Sequence, residues 1–410
     1  MRGNAGELQN SKSMKIQNHR SSKKGTVAVI VGTRPEAIKL APIIQQLQAS
    51  KKLQPLIVST SQHGEMVGQI FSNFGITADL DLEVMRPRQS LWDLSAILST
   101  ELGKLFSTTQ INAVLVQGDT TSAFIGGLCA FYNKIPLGHV EAGLRSHNRY
   151  SPFPEELNRT MLSRLSSWHF APTEYSAELL RKENIPENTI YVSGNTVVDA
   201  LHWMVDRLKP RSLPGGLMDG SRKLILVTCH RRENLGLPMR SVALAIKYIA
   251  ESHPEVNILF PMHPNPLVRE SIIPILAHQR GVFLCEPLNY DEFLDVLKKS
   301  HIVLSDSGGV QEEATALGKP VLVLRRETER PEGVEAGTLR LVGTDVQDIL
   351  RETERLLSND DDYLAMTKGS SIYGDGHASE KIIRILEDQL ATSECCMPIP
   401  SAQERRHFAH

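Results

Sequence analysis

A chain of 410 residues is too long for one hydrophobic core, so its length predicts two domains with additional ends. The net charge of -2, from 45 Lys and Arg against 47 Asp and Glu, favours neither nucleic acid nor an acidic membrane surface as a partner. The 5 cysteines lack CxxC spacing, which argues against a zinc site or a disulfide framework and indicates a reducing compartment, which we expect to be the cytoplasm. No apolar run has the length of a membrane span.

Strands, loops and helices alternate along the chain, and the alternation stops at a linker and then starts again, which gives two successive regions. The N-terminal residues are polar and mildly basic and lack the apolar segment of a signal peptide. The alternation predicts an α/β fold with two doubly wound, Rossmann-like domains that face a cleft. The predicted segments are a disordered extension at 1–24, a first domain at 25–208, a Pro- and Gly-containing linker at 209–222, a second domain at 223–376, a helix packing back across the domains at 377–391 and a flexible tail at 392–410.

The first predicted strand, Thr26–Val31, leads into a turn without the GxGxxG pattern of a dinucleotide-binding fold. We therefore expect no nicotinamide cofactor, and we predict neither another cofactor nor a metal. Arg34 stands at the start of the next helix, and Lys39 follows a little over one turn later. A guanidinium beside free helix amides suits a phosphate or carboxylate, although capping of a neighbouring carbonyl is an equal alternative for Arg34.

Three carboxyl groups mark the edge of the first predicted sheet. Asp119 ends one strand, Glu141 ends the next, and Glu155 lies where the following helix begins. Because the carboxyl ends of neighbouring parallel strands meet at one edge, we expect these groups to crowd together and to raise one another's pKa, as proton transfer requires. Two alternatives stay open: Asp119 caps the next helix, or the charges over 138–159 only solvate a loop.

The second half carries two patterns that suit phosphate. His230 follows the first strand of this half and precedes two arginines, the first of which is Arg231. Ser307-Gly308-Gly309 ends a strand and begins a helix, so free amides point at the gap, and Glu313 is placed to accept from ribose hydroxyls. Packing is an alternative for the two glycines and the stronger interpretation for His263.

Together these motifs resemble the non-hydrolysing UDP-N-acetylglucosamine 2-epimerases, in the family's order and over about residues 26–390. The motifs are GTRPEAIKLAP, QGDTT, HVEAGLRS, PFPEELNR, HRREN, MHPNP, SDSGGVQEE and TERPE. The resemblance implies a glycosyltransferase-B-like fold, usually a homodimer, and cofactor-independent interconversion of UDP-GlcNAc and UDP-ManNAc. UDP would be eliminated and added back through a 2-acetamidoglucal, and the product would supply precursors of surface polysaccharide.

The resemblance also implies roles for individual residues. Asp119, Glu141 and Glu155 correspond to the acid/base carboxylates, and His230 to the catalytic histidine. Implied substrate contacts are Arg34, Lys39, Asp119, Glu141, His230, Leu288, Phe293, Ser307, Gly308, Gly309, Glu313 and Arg330. A second pocket, where UDP-GlcNAc would act as an activator, is implied at Gln62, His63, Glu65, Arg88, Glu155, Arg231 and His263. Packing of the domain hinge is the alternative for this second set, and Gly64 and Leu288 depart from residues that relatives often carry.

The implied elimination explains why these residue types occur together. The C2 proton of a 2-acetamido sugar has no adjacent carbonyl, so it becomes acidic only as the C1–O bond breaks. Protonation on two faces requires several carboxylates, and the leaving diphosphate requires fixed positive charge. Spacing does not say which carboxylate takes the proton and which gives it. Three other functions stay open: an epimerase of a related UDP-2-acetamido sugar, a glycosyltransferase of the same fold, and an inactive nucleotide-sugar sensor.

Overall fold

The computed structural model describes residues 24–61, 64–86, 89–208, 222–369 and 371–393. Most of the predicted extension, linker and tail therefore lies outside the described residues, at 1–23, 209–221 and 394–410. Of the residues implied for the second pocket, Gln62, His63 and Arg88 lie outside the described residues, and so does the side chain of Glu65.

The first half forms a sheet of seven strands in the order β3-β2-β1-β4-β5-β6-β7. All of its paired strands run parallel. Parallel sheets are covered on both faces, which is why β4, with the sequence AVLVQ, is buried along its whole length. The strands are β1 (Gly25–Val31), β2 (Leu53–Ser59), β3 (Leu80–Asp81), β4 (Ala113–Gln117), β5 (Leu137–Val140), β6 (Trp168–Ala171) and β7 (Ile190–Val192).

Helices cover both faces of this first sheet. Val27 and Val29 of β1 belong to one apolar cluster and Ala28 and Ile30 to another, as expected when successive side chains alternate across a strand. The helices are α1 (Arg34–Ala49), α2 (Gly64–Phe74), α3 (Leu91–Thr108), α4 (Thr121–Tyr132), α5 (Glu155–Leu165), α6 (Glu174–Lys182) and α7 (Thr196–Val205).

The second half repeats this plan with a parallel sheet of six strands in the order β10-β9-β8-β11-β12-β13. The strands are β8 (Lys223–Thr228), β9 (Val256–Pro261), β10 (Val282–Cys285), β11 (Ile302–Ser305), β12 (Val321–Val323) and β13 (Leu339–Leu341). The helices are α8 (Leu237–Ser252), α9 (Pro266–Leu276), α10 (Tyr290–Lys299), α11 (Gly308–Ala316), α12 (Pro331–Glu335), α13 (Val346–Ser358), α14 (Asp360–Thr367) and α15 (Ala378–Ser393).

Two doubly wound parallel sheets confirm the predicted fold class. The sequence pattern does not predict the edge strands β3 and β13, because two or three residues are too few to show a periodicity. Among the described helices, none combines the length and the apolar character needed to cross a bilayer.

Helix α7 joins the two halves through an apolar junction. It packs against α1 and α15 and also against α10 and α11 of the second half. Val197 and Leu201 of α7 lie in one continuous buried cluster with Leu294 of α10, Ala314 of α11 and Ile382 of α15. The two halves are therefore in contact on one side through apolar packing of helices, and the polar residues predicted to be functional gather elsewhere.

Candidate active site

Both sheets have a point where the strand order reverses, and the predicted residues follow the strands at these two points. In the first sheet, β1 and β4 are neighbours; Arg34 begins α1 after β1, and Asp119 follows β4. In the second sheet, β8 and β11 are neighbours; His230 follows β8, and Ser307 follows β11. Ligands of open α/β sheets bind in the crevice at such switch points.

A cavity of about 650 Å³ opens between the two halves. The first half contributes the three predicted carboxylates, Asp119, Glu141 and Glu155, to its wall. The second half contributes Ser307, Gly308, Gly309, Arg330 and Arg231. The predicted carboxylates of the first half therefore face the predicted phosphate contacts of the second half across one space. Each half also contributes charge of the other sign to the wall, such as Arg159 in the first half and Glu329 in the second.

An adjoining cavity of about 370 Å³ holds most of the other predicted contacts. Its lining includes Arg34, His230, His263, Leu288, Phe293 and Glu313. The two cavities share Pro35, Lys39, Ser307 and Gly309 in their walls. The predicted substrate contacts are thus divided between two connected spaces, one carboxylate-rich and one more apolar, with the start of α11 between them.

Glu141 is the most strongly held of the three carboxylates. Lys39, Gln117 and Asn195 all donate hydrogen bonds to its carboxylate. Its backbone adopts the left-handed region at φ 65°, which costs a residue other than glycine about 1 kcal/mol or more. Burial favours the neutral form, but the charges of Lys39 and Arg330 outweigh burial and hold the pKa of Glu141 below its ordinary value. The expectation that crowding raises the pKa of each carboxyl is therefore wrong for Glu141, whose ionised form these charges favour.

Asp119 has the opposite pKa shift. Burial raises its pKa above the ordinary value, and the neighbouring charge of Glu141 adds to that effect, while Arg159 opposes it through an ion pair of 2.6 Å. Thr120, rather than Asp119, is the N-cap of α4, since the Thr120 hydroxyl accepts a hydrogen bond from the Ala123 amide at 3.0 Å. The capping role considered for Asp119 therefore belongs to its neighbour.

Glu155 begins α5 and is only partly buried. Burial raises its pKa, the charge of Asp119 raises it further, and Arg159 and Arg232 oppose the shift. The adjacent Glu156 is buried and turns inward instead, where it accepts hydrogen bonds from the amides of Ser146 and His147, each at 3.0 Å. Sequence reasoning missed this supporting role of Glu156; the pair of consecutive glutamates was the only signal for it.

A buried network of charges connects the two halves across the larger cavity. Nζ of Lys39 lies 3.2 Å from Oε2 of Glu312 and also pairs with Glu141. Nε and Nη2 of Arg330 both lie 2.8 Å from Oε1 of Glu312. Lys39 and Arg330 were expected to contact substrate; both line the cavity, but each is also bound to Glu312, a residue that the sequence analysis did not single out.

The start of α11 has the geometry of an anion site. Ser307 is the N-cap, with no side-chain capping bond among the described residues, so the first amides of the helix remain available to a ligand. Gly308 is needed for close packing, because a Cβ on it would lie 2.5 Å from Nη1 of Arg330. One turn later, Glu313 accepts a hydrogen bond of 2.9 Å from Tyr290, and burial raises its pKa to about 7 despite the charge of Arg34.

The described members of the implied second pocket do not form one separate space. Glu155 and Arg231 line the larger cavity, whereas His263 lines the smaller one and stacks on His230 with ring centroids 5.5 Å apart. Arg231 lies 3.6 Å from Glu329 and 3.8 Å from Glu233. Within the described ranges, no group of three or more His, Cys, Asp or Glu side chains is arranged to hold a metal ion.

Comparison with known proteins gives one consistent result. The sequence matches the family described as UDP-N-acetylglucosamine 2-epimerase over residues 45–387. A Bacillus subtilis (strain 168) protein of that name is 46% identical over 364 residues, which make up 89% of this chain and 95% of the relative.

Solved structures agree in both sequence and fold. The crystal structure of UDP-GlcNAc 2-epimerase from Neisseria meningitidis bound to UDP-GlcNAc has a TM-score of 0.84 at 44% identity and covers 88% of this chain and 100% of that one. The Methanocaldococcus jannaschii UDP-GlcNAc 2-epimerase in complex with UDP-GlcNAc and UDP has a TM-score of 0.75 at 32% identity and covers 88% and 99%. The glycosyltransferase-B-like fold is confirmed, and the chain belongs to the UDP-N-acetylglucosamine 2-epimerase family.

Proposed function

We propose that this protein interconverts UDP-GlcNAc and UDP-ManNAc by inverting C2 of the sugar, without an added cofactor. One observation carries the proposal: Asp119, Glu141 and Glu155 share a single cavity with the amide end of α11 and with Arg330. Proton-transfer groups and a diphosphate site thus face the same space. The Neisseria and Methanocaldococcus epimerases were solved with UDP-GlcNAc, which supports the same substrate class for this chain.

The reaction proceeds by elimination and re-addition of UDP. As the C1–O bond breaks, its electron pair leaves with UDP, and a carboxylate removes the C2 proton whose bonding pair forms the C1=C2 double bond. The 2-acetamidoglucal then receives a proton on the opposite face of C2, and the UDP oxygen adds back to C1. Atoms and charge balance without a hydride carrier, and enclosure of the intermediate between the two halves prevents its loss.

The contrasting environments of the carboxylates support different roles. Glu141, whose pKa is held below its ordinary value by Lys39 and Arg330 against the effect of burial, is ionised and accepts the C2 proton. Asp119 and Glu155 have pKa values raised chiefly by burial, so either retains a proton more readily and can donate it on the other face. In the reverse direction the groups exchange roles.

Groups from both halves stabilise the departing diphosphate. Arg34 and His230 line the smaller cavity, and the Ser307–Gly309 amides lie between the two cavities. Fixed charges and oriented amides in a partly enclosed site stabilise developing negative charge more effectively than water does. Phe293 and Leu288 add an apolar wall to the smaller cavity, which suits the flat face of a base.

Incubation with UDP-GlcNAc in heavy water tests this mechanism. We expect UDP-ManNAc to form and deuterium to appear at C2 of both epimers, as followed by proton NMR. Retention of the original C2 proton would exclude the elimination. Accumulation of free ManNAc and UDP would instead indicate a hydrolysing enzyme.

We also propose that UDP-GlcNAc activates the enzyme from a second pocket in the cleft. Support comes from Glu155 of the first half and from Arg231 and His263 of the second, which line the two connected cavities. An activator acts only through a higher affinity for the active conformation. Starting from pure UDP-ManNAc, we expect a lag that trace UDP-GlcNAc abolishes. Immediate turnover at full rate would leave these residues as packing of the hinge.

The proposed assembly is a homodimer that works in the cytoplasm. Exposed apolar side chains on three helices of the first half support self-association: Leu91 and Trp92 on α3, Phe131 and Tyr132 on α4, and Leu157 and Met161 on α5. These helices pack side by side, and the Trp92 side chain is 87% exposed. Light scattering should give twice the mass of one chain for the wild type and the mass of one chain for Trp92→Glu. The matched control is Tyr248→Glu, since Tyr248 is exposed on α8 of the other half.

A further inference from the structure

The carboxylate of Asp306 uses its two oxygens unequally. Asp306 directly follows β11 and is completely buried. Oδ2 accepts hydrogen bonds from the amides of His230 and Arg231, at 2.9 and 2.8 Å, and from Nδ2 of Asn234 at 3.0 Å. Oδ1 is equally buried and has no hydrogen-bond partner among the described residues. A buried carboxylate oxygen without a donor carries a desolvation cost, so it points to a partner that the resting geometry leaves slightly out of reach.

The imidazole of His230 is the nearest candidate for that partner. Its Nδ1 lies 3.6 Å from Oδ1, which is too long for a hydrogen bond but needs only a small shift of the ring. The His230 side chain is 40% exposed, so it has room to move, whereas Asp306 is fixed by three donors. His263 stacks on the ring with planes 10° apart, so a shift of the imidazole within its own plane retains this contact. Catalytic hydrogen bonds are often long before substrate is bound.

The thiol of Cys229 is a competing donor for the same carboxylate. Burial, and next the charge of Asp306, raise the pKa of this thiol well above its ordinary value, so Cys229 stays protonated beside the carboxylate. A thiol is a weak donor, whereas an imidazole N–H facing a carboxylate makes a strong one. The two candidates can be separated by experiment, because only one of them fixes the tautomer of His230.

We propose that Asp306 is a positioning residue that accepts a hydrogen bond from Nδ1–H of His230 and thereby turns Nε2 towards the leaving diphosphate, so that the ring, when it also carries a proton on Nε2, donates that N–H to a diphosphate oxygen. The proposal rests on the proposed function for the role of His230 in catalysis. The same carboxylate fixes the 229–234 turn through Oδ2 and orients the ring through Oδ1. The second half would therefore hold its histidine by a carboxylate–imidazole pair, as enzymes do when the tautomer of a catalytic histidine must be fixed.

Nitrogen NMR of protein labelled with ¹⁵N-histidine tests the tautomer directly. Spectra are recorded at about pH 8.5, above the ordinary titration range of histidine, and the His230 signals are assigned by their loss in His230→Gln. We expect the proton on Nδ1 in the wild type. In Asp306→Asn an amide oxygen can still accept from the turn, while the amide NH₂ faces Nδ1, so we expect the proton to move to Nε2. Cys229→Ala, the control for the competing thiol, should keep the wild-type tautomer.

Turnover provides the second measurement. Asp306→Asn should lower kcat by about 100-fold, because Nδ1 then accepts from the amide, and the doubly protonated ring that donates to the diphosphate loses its carboxylate partner. A wild-type ring protonated on Nε2, or an unchanged tautomer in a folded Asp306→Asn, would overturn the proposal. If Asp306→Asn does not fold, the wild-type tautomer decides. A normal kcat in His230→Gln would instead overturn the catalytic role of His230 while leaving the tautomer result to stand.

Discussion

The two halves use the same position in their sheets for opposite chemistry. At the β1/β4 switch point the first half presents carboxylates, with Asp119 after β4 and Glu141 after the neighbouring β5. At the β8/β11 switch point the second half presents His230, arginines and the amides of α11. The strand order therefore indicates where a ligand binds. In the proposed reaction the carboxylates of the first half transfer protons, and the second half, together with Arg34 of the first, binds the diphosphate.

This division between the two halves is incomplete at Glu141. Glu141 belongs to the first half, yet part of the charge that keeps it ionised comes from Arg330 of the second half. Glu312, also from the second half, holds Lys39 and Arg330 beside each other. The ionised state of Glu141 thus depends on the other half being in place, so a cleft between two halves suits the proposed reaction better than a pocket within either.

Loss of the ionised carboxylate should break the first half's function most severely. Glu141→Gln keeps the size of the side chain but removes the base, so turnover should fall by about 100- to 10,000-fold while the protein remains folded. Steady-state rates with UDP-GlcNAc and far-ultraviolet circular dichroism measure the two effects. Glu327→Gln is the matched control, since Glu327 is exposed in the loop before α12. Near-normal turnover of Glu141→Gln would remove Glu141 from the catalytic groups.

The pH dependence of the unfolding free energy should reveal the raised pKa of Glu313, in contrast to Glu141, whose pKa is lowered. Burial raises the pKa of Glu313 to about 7 in the folded protein, whereas the unfolded chain ionises near 4.5. The contribution of protonated Glu313 to the free energy of unfolding is thus complete below about pH 4.5. It is lost as the pH rises towards 7, because the buried carboxyl then ionises. Relative to Glu313→Gln, the wild type should lose on the order of 3 kcal/mol of unfolding free energy over this interval.

Urea unfolding at pH 5, 6 and 7 measures that loss. Glu335→Gln, which removes an exposed carboxylate of α12, serves as the control and should run parallel to the wild type. A constant difference between wild type and Glu313→Gln at all three values would contradict the raised pKa.

Two adjacent glycines offer a test of the packing at the start of α11. A methyl group on Gly308 would meet the guanidinium of Arg330 at 2.5 Å, while one on Gly309 meets nothing within 4 Å. Gly308→Ala should therefore lower the unfolding free energy by about 2 kcal/mol through overpacking, and Gly309→Ala should not. Thermal unfolding compares the two variants. Equal stability would mean that Arg330 moves aside without cost.

The smallest effect concerns the cap beside Asp119. Thr120→Ala removes the hydroxyl that accepts from Ala123 and donates to Glu36 at 2.7 Å, so the unfolding free energy should fall by about 1 kcal/mol. Thr120→Ser retains the hydroxyl and should stay close to the wild type in urea unfolding. A stable Thr120→Ala would show that another group caps α4.

The sequence was informative where a function depends on position along a strand. Asp119, Glu141 and His230 stand at strand ends, so the α/β pattern was enough to place them at the edge of a sheet. Glu156 and Glu312 could not be predicted, because their roles depend on the direction in which a side chain turns: Glu156 points inward to two amides, and Glu312 points across the cleft to Lys39. The opposite pKa shifts of Asp119 and Glu141 were equally out of reach, since the first arises chiefly from burial and the second from the cations Lys39 and Arg330 of distant segments.

The packing of α15 has a consequence for how the protein is made. Ile382 and Leu386 of α15 are fully buried in the cluster that also contains residues of α1, and Asp199 of α7 accepts hydrogen bonds from the amides of Ala378 and Ser379. The last described helix therefore completes the core of the half that is synthesised first. During synthesis, a first sheet that has already formed exposes this apolar surface until α15 has also emerged from the ribosome. Premature termination before Ala378 should consequently yield an aggregation-prone first half rather than an independently stable one.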